Sequence, residues 1–119
     1  MTKTLNSIST RQELHTLLAK NDSMVIIKFG AEWCGPCKRI EPLVDKCMSE
    51  MPEYVTCIKL DIDECIDIYA YLRTKKVLTS IPTILAYKSG NTHFAPDYVV
   101  NSSNEQQVRE FFARCKAEL

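Results

Sequence analysis

The chain has no excess of charge, no long apolar run and almost no histidine. Its 119 residues carry fifteen basic and fifteen acidic side chains, a formal net charge of zero. A protein that holds nucleic acid or an anionic membrane through its own field carries a basic excess, so both partner classes are disfavoured. No apolar stretch approaches the roughly 20 residues that span a bilayer. Met1 to Thr10 is polar and lacks the apolar segment of a secretory leader, so a cytoplasmic location is expected. His15 and His93 are the only histidines, and neither lies near a cysteine in sequence. One C-x-x-C stands without a second pair at finger spacing, so no metal site is expected, and a Cys–His hydrolase is disfavoured for the same reason. No linker, repeat or low-complexity segment interrupts the chain, and its length fits one domain over residues 1–119.

What is present is cysteine. There are six, an even number, so a framework of three disulfides has to be weighed. A chain of this length buries about two-thirds of its surface and needs no staples to fold. Cys47 follows Cys37 by ten residues, which on one helix is ~15 Å along the axis, beyond disulfide reach. The expectation is a reducing compartment with four of the six thiols free. Cys34 and Cys37 are separated by Gly35 and Pro36, which let the chain turn tightly between them. If Cys34 ends a strand and Cys37 opens a helix, the positive helix end favours the Cys34 thiolate. A thiolate with a second thiol in reach is the minimum equipment for thiol–disulfide exchange.

Strand and helix patterns alternate along the chain. Thr4 to Ile8 reads as a short first strand. Thr10-Arg11-Gln12-Glu13 reads as a capping box that opens a helix with Leu14, Leu17 and Leu18 on one face. Met24 to Phe29 has the apolar, β-branched pattern of a buried strand. A long helix follows the cysteine pair, with Ile40, Leu43, Val44, Cys47, Met48 and Met51 as its stripe and Pro42 inside it, where a kink is expected. Tyr54 to Leu60 is a third strand. Asp61, Asp63 and Glu64 favour a helix start, and Cys65, Ile68, Tyr69 and Leu72 give that helix its face. Ile84 to Tyr87 is a fourth strand. Ser89-Gly90-Asn91 signals a hairpin into a fifth strand within Thr92 to Val100, broken by Pro96. Ser102-Ser103-Asn104 caps a last helix with Val108, Phe111, Phe112 and Cys115 inward. The order predicts an α/β fold: a mixed five-stranded sheet, parallel early and antiparallel late, with four helices on both faces.

With these elements in place the chain resembles the thioredoxin family over nearly its whole length. The resemblance rests on Ala31-Glu32-Trp33-Cys34-Gly35-Pro36-Cys37-Lys38, on Pro42, on Lys59-Leu60-Asp61-Ile62-Asp63, and on Ile81-Pro82-Thr83 followed by a strand and Lys88-Ser89-Gly90. It implies the thioredoxin fold and a protein-disulfide reductase that cycles Cys34 and Cys37 between dithiol and disulfide. Cys34 is then the attacking thiol and Cys37 the resolving one. Trp33, Gly35, Pro36, Ile81, Pro82, Val100 and Asn101 are implied to form the substrate surface, with Pro82 cis and the Ile81 backbone facing an extended substrate chain. No bound cofactor is implied. Electrons come from an external reductase, either a thioredoxin reductase or the glutathione system. The partners are disulfide-containing proteins and that reductase, and a monomer is expected. A binding subunit of the same fold, with little turnover, is the alternative. An oxidase or isomerase is disfavoured, because Gly-Pro between the cysteines goes with reductants in this family.

Three positions depart from the family pattern. Lys28 stands where the family usually has a buried Asp that takes part in proton transfer to the second cysteine, and Lys59 stands where a lysine often pairs with that Asp. Two lysines in place of an acid–base pair would repel, and burial alone lowers a lysine's pKa. As a cation Lys28 would lower the Cys37 pKa, and as a neutral amine it could accept the Cys37 proton. Alternatively its ammonium snorkels to water and takes no part. Gly30 replaces a side chain beside the motif. Asn101 replaces a glycine, adding volume where a substrate approaches. Among the other thiols, Cys47, Cys57 and Cys115 fall on core faces. Cys65, at a helix start, is the candidate for a secondary redox thiol, opposed by the nearby Asp61, Asp63 and Glu64. Arg73, Lys75 and Lys76 form a small basic run, either a solvated helix end or a steering patch for acidic partners.

Overall fold

Alternation along the second strand sets the two-sided core. The structure, a computed structural model, describes residues 3–4 and 7–119, with side chains from residue 7. The elements are β1 (Lys3–Thr4), α1 (Arg11–Ala19), β2 (Met24–Gly30), α2 (Gly35–Ser49), β3 (Thr56–Asp61), α3 (Ile66–Thr74), β4 (Thr83–Lys88), β5 (Tyr98–Val100) and α4 (Glu105–Ala117). All seven residues of β2 are buried. Val25, Ile27 and Phe29 face the cluster that holds Leu14 and Leu18 of α1 and Ile68 and Leu72 of α3. Met24 and Ile26 face the opposite cluster, with Ile40, Val44 and Met48 of α2 and Val108, Phe111 and Phe112 of α4. A period of two therefore splits one strand between two helical layers. Lys28 falls by the same alternation on the α2/α4 side.

The five strands lie in the order β1-β3-β2-β4-β5. β3 pairs in parallel with both β1 and β2, while β4 is antiparallel to β2 and to β5. The expected mixed sheet is present, with parallel pairing where helices join the strands. In the β2–β3 register Lys28 stands opposite Lys59 and Gly30 opposite Asp61.

Several boundaries differ from the sequence reading. The first strand is the pair Lys3–Thr4; of the stretch expected to continue it, residues 5 and 6 lie outside the described residues and Ser7 and Ile8 are not strand. The fifth strand is only Tyr98–Val100. Residues 91–97 form a loop instead, held by side chains that compete with a ladder: the Asn91 amide donates to the Ala95 carbonyl and to Asp97, and Asp97 accepts the Lys88 N–H. Gly90 turns the chain at a φ of 88°. Leu43 and Cys47, expected in the stripe of α2, are only partly buried at its edge.

The local signals that start α1 and α4 hold. Thr10 Oγ1 accepts the Glu13 N–H at 3.1 Å, and Glu13 Oε1 accepts the Thr10 N–H at 3.1 Å, a reciprocal capping box. These bonds, led by one from the Ser9 backbone, hold the Glu13 carboxyl below its ordinary value. Asn104 Oδ1 caps α4 by accepting the Gln107 N–H at 3.0 Å. Replacing Thr10 by Ala is expected to cost about 1 kcal/mol. Replacing the fully buried Ile58 by Ala is expected to cost about 2–5 kcal/mol, through lost contact and the cavity left behind. Urea unfolding of the two variants checks both the direction and the order.

Candidate active site at the junction of β2 and α2

β2 runs out at Gly30, and after four intervening residues α2 begins at Gly35. Cys34 is the N-cap of α2: its backbone is extended, and its Sγ accepts the Cys37 N–H at 3.2 Å. Pro36 sits in the first turn of the helix, where its missing N–H costs no bond. The sulfur thus occupies the place of a capping oxygen, at the positive end of a fifteen-residue helix. Cys34 and Cys37 are joined as a disulfide, and their Cα atoms are 5.3 Å apart. Both side chains are buried, Cys37 more deeply, at 2% exposure against 6% for Cys34. Trp33, Gly35 and Pro36 around them are exposed. Cys34 is therefore the sulfur nearer the surface.

The loop before α2 is anchored by Asp61 at the end of β3. One Asp61 oxygen accepts the Glu32 N–H at 3.1 Å and the other accepts the Asp63 N–H at 2.8 Å. Gly30 accepts the Ile62 N–H at 2.9 Å. Asp63 in turn accepts the Trp33 indole N–H at 2.8 Å, so the 68%-exposed ring is held in one place beside Cys34. In the sequence these carboxylates read only as acids before a helix. Their role as an anchor appears once β2 and β3 pair.

The Ile81–Pro82 peptide is cis, as expected, and lies just before β4, whose first residue, Thr83, pairs with Phe29 near the end of β2. Thr83 Oγ1 donates to the Ser80 carbonyl at 2.7 Å, tightening this turn. Asn101 joins the same turn from the other side. Its amide nitrogen donates to Thr79 Oγ1 at 2.9 Å, and its carbonyl oxygen accepts the Ser80 hydroxyl at 2.6 Å. The side chain expected to crowd the substrate groove thus spans two loops as a brace. Nearby, Arg39 of α2 donates to Ser103 Oγ at 2.9 Å. Val100 differs from the expected surface role: it is 9% exposed, and its side chain belongs to the α2/α4 core. Its place in β5, paired with Ile84, turns it inward.

The two lysines do not form an isolated repulsive pair. Lys28 is 4% exposed, and its Nζ reaches the Cys37 carbonyl at 3.4 Å. Lys59 turns away and donates to Asp45 at 2.7 Å, with Glu41 at 4.0 Å. Both acids come from α2, one and two turns beyond Cys37 at i+4 and i+8. That spacing was readable as a helix face, but nothing in the sequence tied the face to Lys28. Burial pushes the Lys28 pKa down, and Lys59 adds to this; the Glu41 and Asp45 carboxylates push it back up.

The remaining thiols are set by burial. Cys65 is indeed the N-cap of α3, but it is 1% exposed and makes no side-chain capping bond. Burial first, then Asp61 and Glu64, raise its pKa to about 11. The structure therefore places the candidate secondary thiol inside the core and its ionisation out of reach at neutral pH, because desolvation outweighs the helix end. Burial raises Cys57 and Cys115 to about 12 each. Cys47, partly exposed, is the free thiol that differs from the expected core placement. Among the described residues no group of three or more His, Cys, Asp or Glu is arranged to hold a metal ion.

These thiols give a pH dependence of definite sign. Cys57, Cys65 and Cys115 keep their protons in the folded chain to higher pH than in the unfolded chain, whose ordinary thiol value is about 8.5. Their contribution to stability is fully present below that value and is lost as pH rises toward the folded values. Each thiol lowers stability by up to about 1.4 kcal/mol per pH unit in that window. The urea midpoint is expected to fall between pH 9 and 11, and Cys57→Ala is expected to flatten the fall.

The whole chain can now be placed among known proteins. The thioredoxin family model matches residues 6–114. A Dictyostelium discoideum sequence carrying a provisional thioredoxin-4 assignment is 40% identical over 116 residues, which is 98% of this chain and 100% of that protein. Thioredoxin 1 of Plasmodium falciparum is 36% identical over 85 residues, 71% of this chain and 76% of its own. The X-ray structure of Fasciola hepatica thioredoxin superposes with a TM-score of 0.73 at 28% identity, covering 94% of this chain and 100% of that one. An exposed tryptophan beside a helix-capping Cys-Gly-Pro-Cys pair, a cis-proline turn just before β4 and this breadth of similarity make the chain a member of the thioredoxin family, a thiol–disulfide oxidoreductase that reduces protein disulfides.

Proposed function

We propose that this chain is a single-domain, monomeric, cytoplasmic protein-disulfide reductant that needs no bound cofactor and is recharged by an external reductase, a thioredoxin reductase or the glutathione system. The observation that carries the reading is the placement of Cys34 Sγ as the cap of α2, with Cys37 one turn further in. In the reduced protein the Cys34 thiolate attacks a substrate disulfide, the first substrate sulfur leaves as a thiolate, and Cys34 is left in a mixed disulfide. Cys37 then attacks Cys34, closing the internal disulfide and releasing the second substrate sulfur. Trp33, Gly35 and Pro36 offer an exposed platform for the substrate, and Ile81 and Pro82 form the opposite wall. The zero net charge gives the chain no basic excess with which to attract nucleic acid.

Insulin reduction with dithiothreitol, then with several thioredoxin reductases and with glutathione, tests the reaction and the electron donor together. Cys34→Ser is expected to abolish turnover, and Cys37→Ser to accumulate the mixed disulfide, visible by mass. Function retained in Cys34→Ser would instead favour a binding subunit that works through the Trp33–Pro82 surface.

The Asn101 brace belongs to the same surface. Asn101→Gly removes both bonds to the cis-proline turn. A rise of a few-fold or more in KM for protein substrate or reductase is expected, with kcat less affected. Unchanged constants with every reductase tried would remove Asn101 from the recognition surface.

A further inference from the structure

A cavity of about 280 Å³ lies behind the dithiol, and Lys28, Gly30, Cys37, Glu41 and Lys59 are among its lining residues. It is open to solvent and large enough for several waters. Gly30 is what opens its inner wall. A Cβ there would stand 3.4 Å from Cys37 Sγ and 3.7 Å from Lys28 Cε. The missing side chain leaves the resolving sulfur and the lysine stem flanking the same gap, with no group from Gly30 between them.

We infer that Lys28 is the positioning charge for the resolving step: its ammonium, facing this cavity, stabilises the Cys37 thiolate, and cavity water carries the Cys37 proton away. The charge layout supports this. From α2, Glu41 and Asp45 face Lys28, and from β3, Lys59 does. Two cations and two anions sum to zero, so the ammonium is compensated without a carboxylate on β2. Glu32, Lys38, Asp61 and Glu64 complete the charged lining of the cavity. Burial lowers the Lys28 pKa from its ordinary 10.5, while Glu41 and Asp45 oppose the shift and favour its charged form. A cation next to a thiol acts opposite in sign to a buried carboxylate, which would hold the proton on the sulfur.

The step balances as follows. Cys37 loses its proton to cavity water, and its thiolate attacks Cys34 Sγ in the mixed disulfide. The Cys34–Cys37 bond forms and the Cys34–substrate bond breaks. The substrate sulfur leaves with the bonding electron pair and is then protonated by water. The protein dithiol is oxidised by two electrons, and the substrate disulfide is reduced by two.

This inference rests on the resolving role proposed for Cys37, but its test needs no turnover, so it can fail while insulin reduction succeeds. In Cys34→Ser protein, Cys37 is titrated by thiolate ultraviolet absorbance, with Cys34→Ser/Cys37→Ser as the blank. The expected midpoint is at or below the ordinary thiol value of about 8.5. Adding Lys28→Gln is expected to raise it by about one to three units, while Lys28→Arg keeps it near the parent value. In protein that retains Cys34, the resolving rate of Lys28→Gln is expected to fall tenfold or more at neutral pH and to recover in alkali. A purely structural defect would depress it at every pH. A parent midpoint above about 8.5, or one that Lys28→Gln leaves unmoved, overturns the inference. If Lys28→Gln does not fold, the parent midpoint alone decides.

Discussion

The bond on which the structure turns is the one from the Cys37 N–H to Cys34 Sγ. It makes the nucleophilic sulfur part of the helix it caps. An α-helix leaves its first N–H groups without intrahelical partners, and a side chain must accept from them. Here that acceptor is a sulfur, so the requirement that starts α2 also brings a thiol to the positive end of the helix. The same junction fixes the distance between the two cysteines, since one helical turn brings them into disulfide reach. β2 supplies the other half of the constraint. It is buried on both faces and paired on both edges, so its last residue delivers the chain to the helix in one place.

Around this junction each wall of the site is held by side chains from distant parts of the chain. Asp61 and Asp63, at the end of β3, fix the Trp33 loop. Asn101, just beyond β5, fixes the cis-proline turn. These bonds are mostly exposed, and each contributes little to global stability. Their effect is positional: they fix the Trp33 loop to the end of β3 and the Asn101 segment to the turn before Pro82. A rigid sheet with functional loops at one end allows this division of labour.

The charge arrangement beneath the dithiol shows how a site tolerates an apparent inversion. A lysine stands on the central strand where the family resemblance implies an acid, and a second lysine stands beside it in register. Taken alone the pair is repulsive. In the folded chain α2 crosses that end of the sheet and contributes Glu41 and Asp45, restoring neutrality from a different element. The half-exposed Lys59–Asp45 pair adds little to stability. The four charges act together on the field inside the solvent-open cavity behind the dithiol.

Much of this was legible in the chain itself. The capping box at Thr10, the Asn104 cap, the alternation in Met24–Phe29 and the helix-joined strand order each come from short-range stereochemistry, which a local pattern records. The Cys34–Cys37 pair at a strand–helix junction was legible for the same reason. The fifth strand lies within the expected stretch but fills only its end, because Asn91 and Asp97 offer backbone groups closer partners than a ladder does, and such competition is settled by the loop as a whole. The state of Cys65 was not legible, because a helix start and burial act on a thiol with opposite sign, and only packing decides how much water remains. The partners of Lys28, Lys59, Trp33 and Asn101 lie 9 to 30 residues away in sequence, on other elements or loops. The sequence by itself determined which residues cap, turn and alternate, and hence the dithiol. Tertiary structure alone decided which charges surround Cys37, because electrostatic energy depends on distance through space and on burial, and neither follows from chain order.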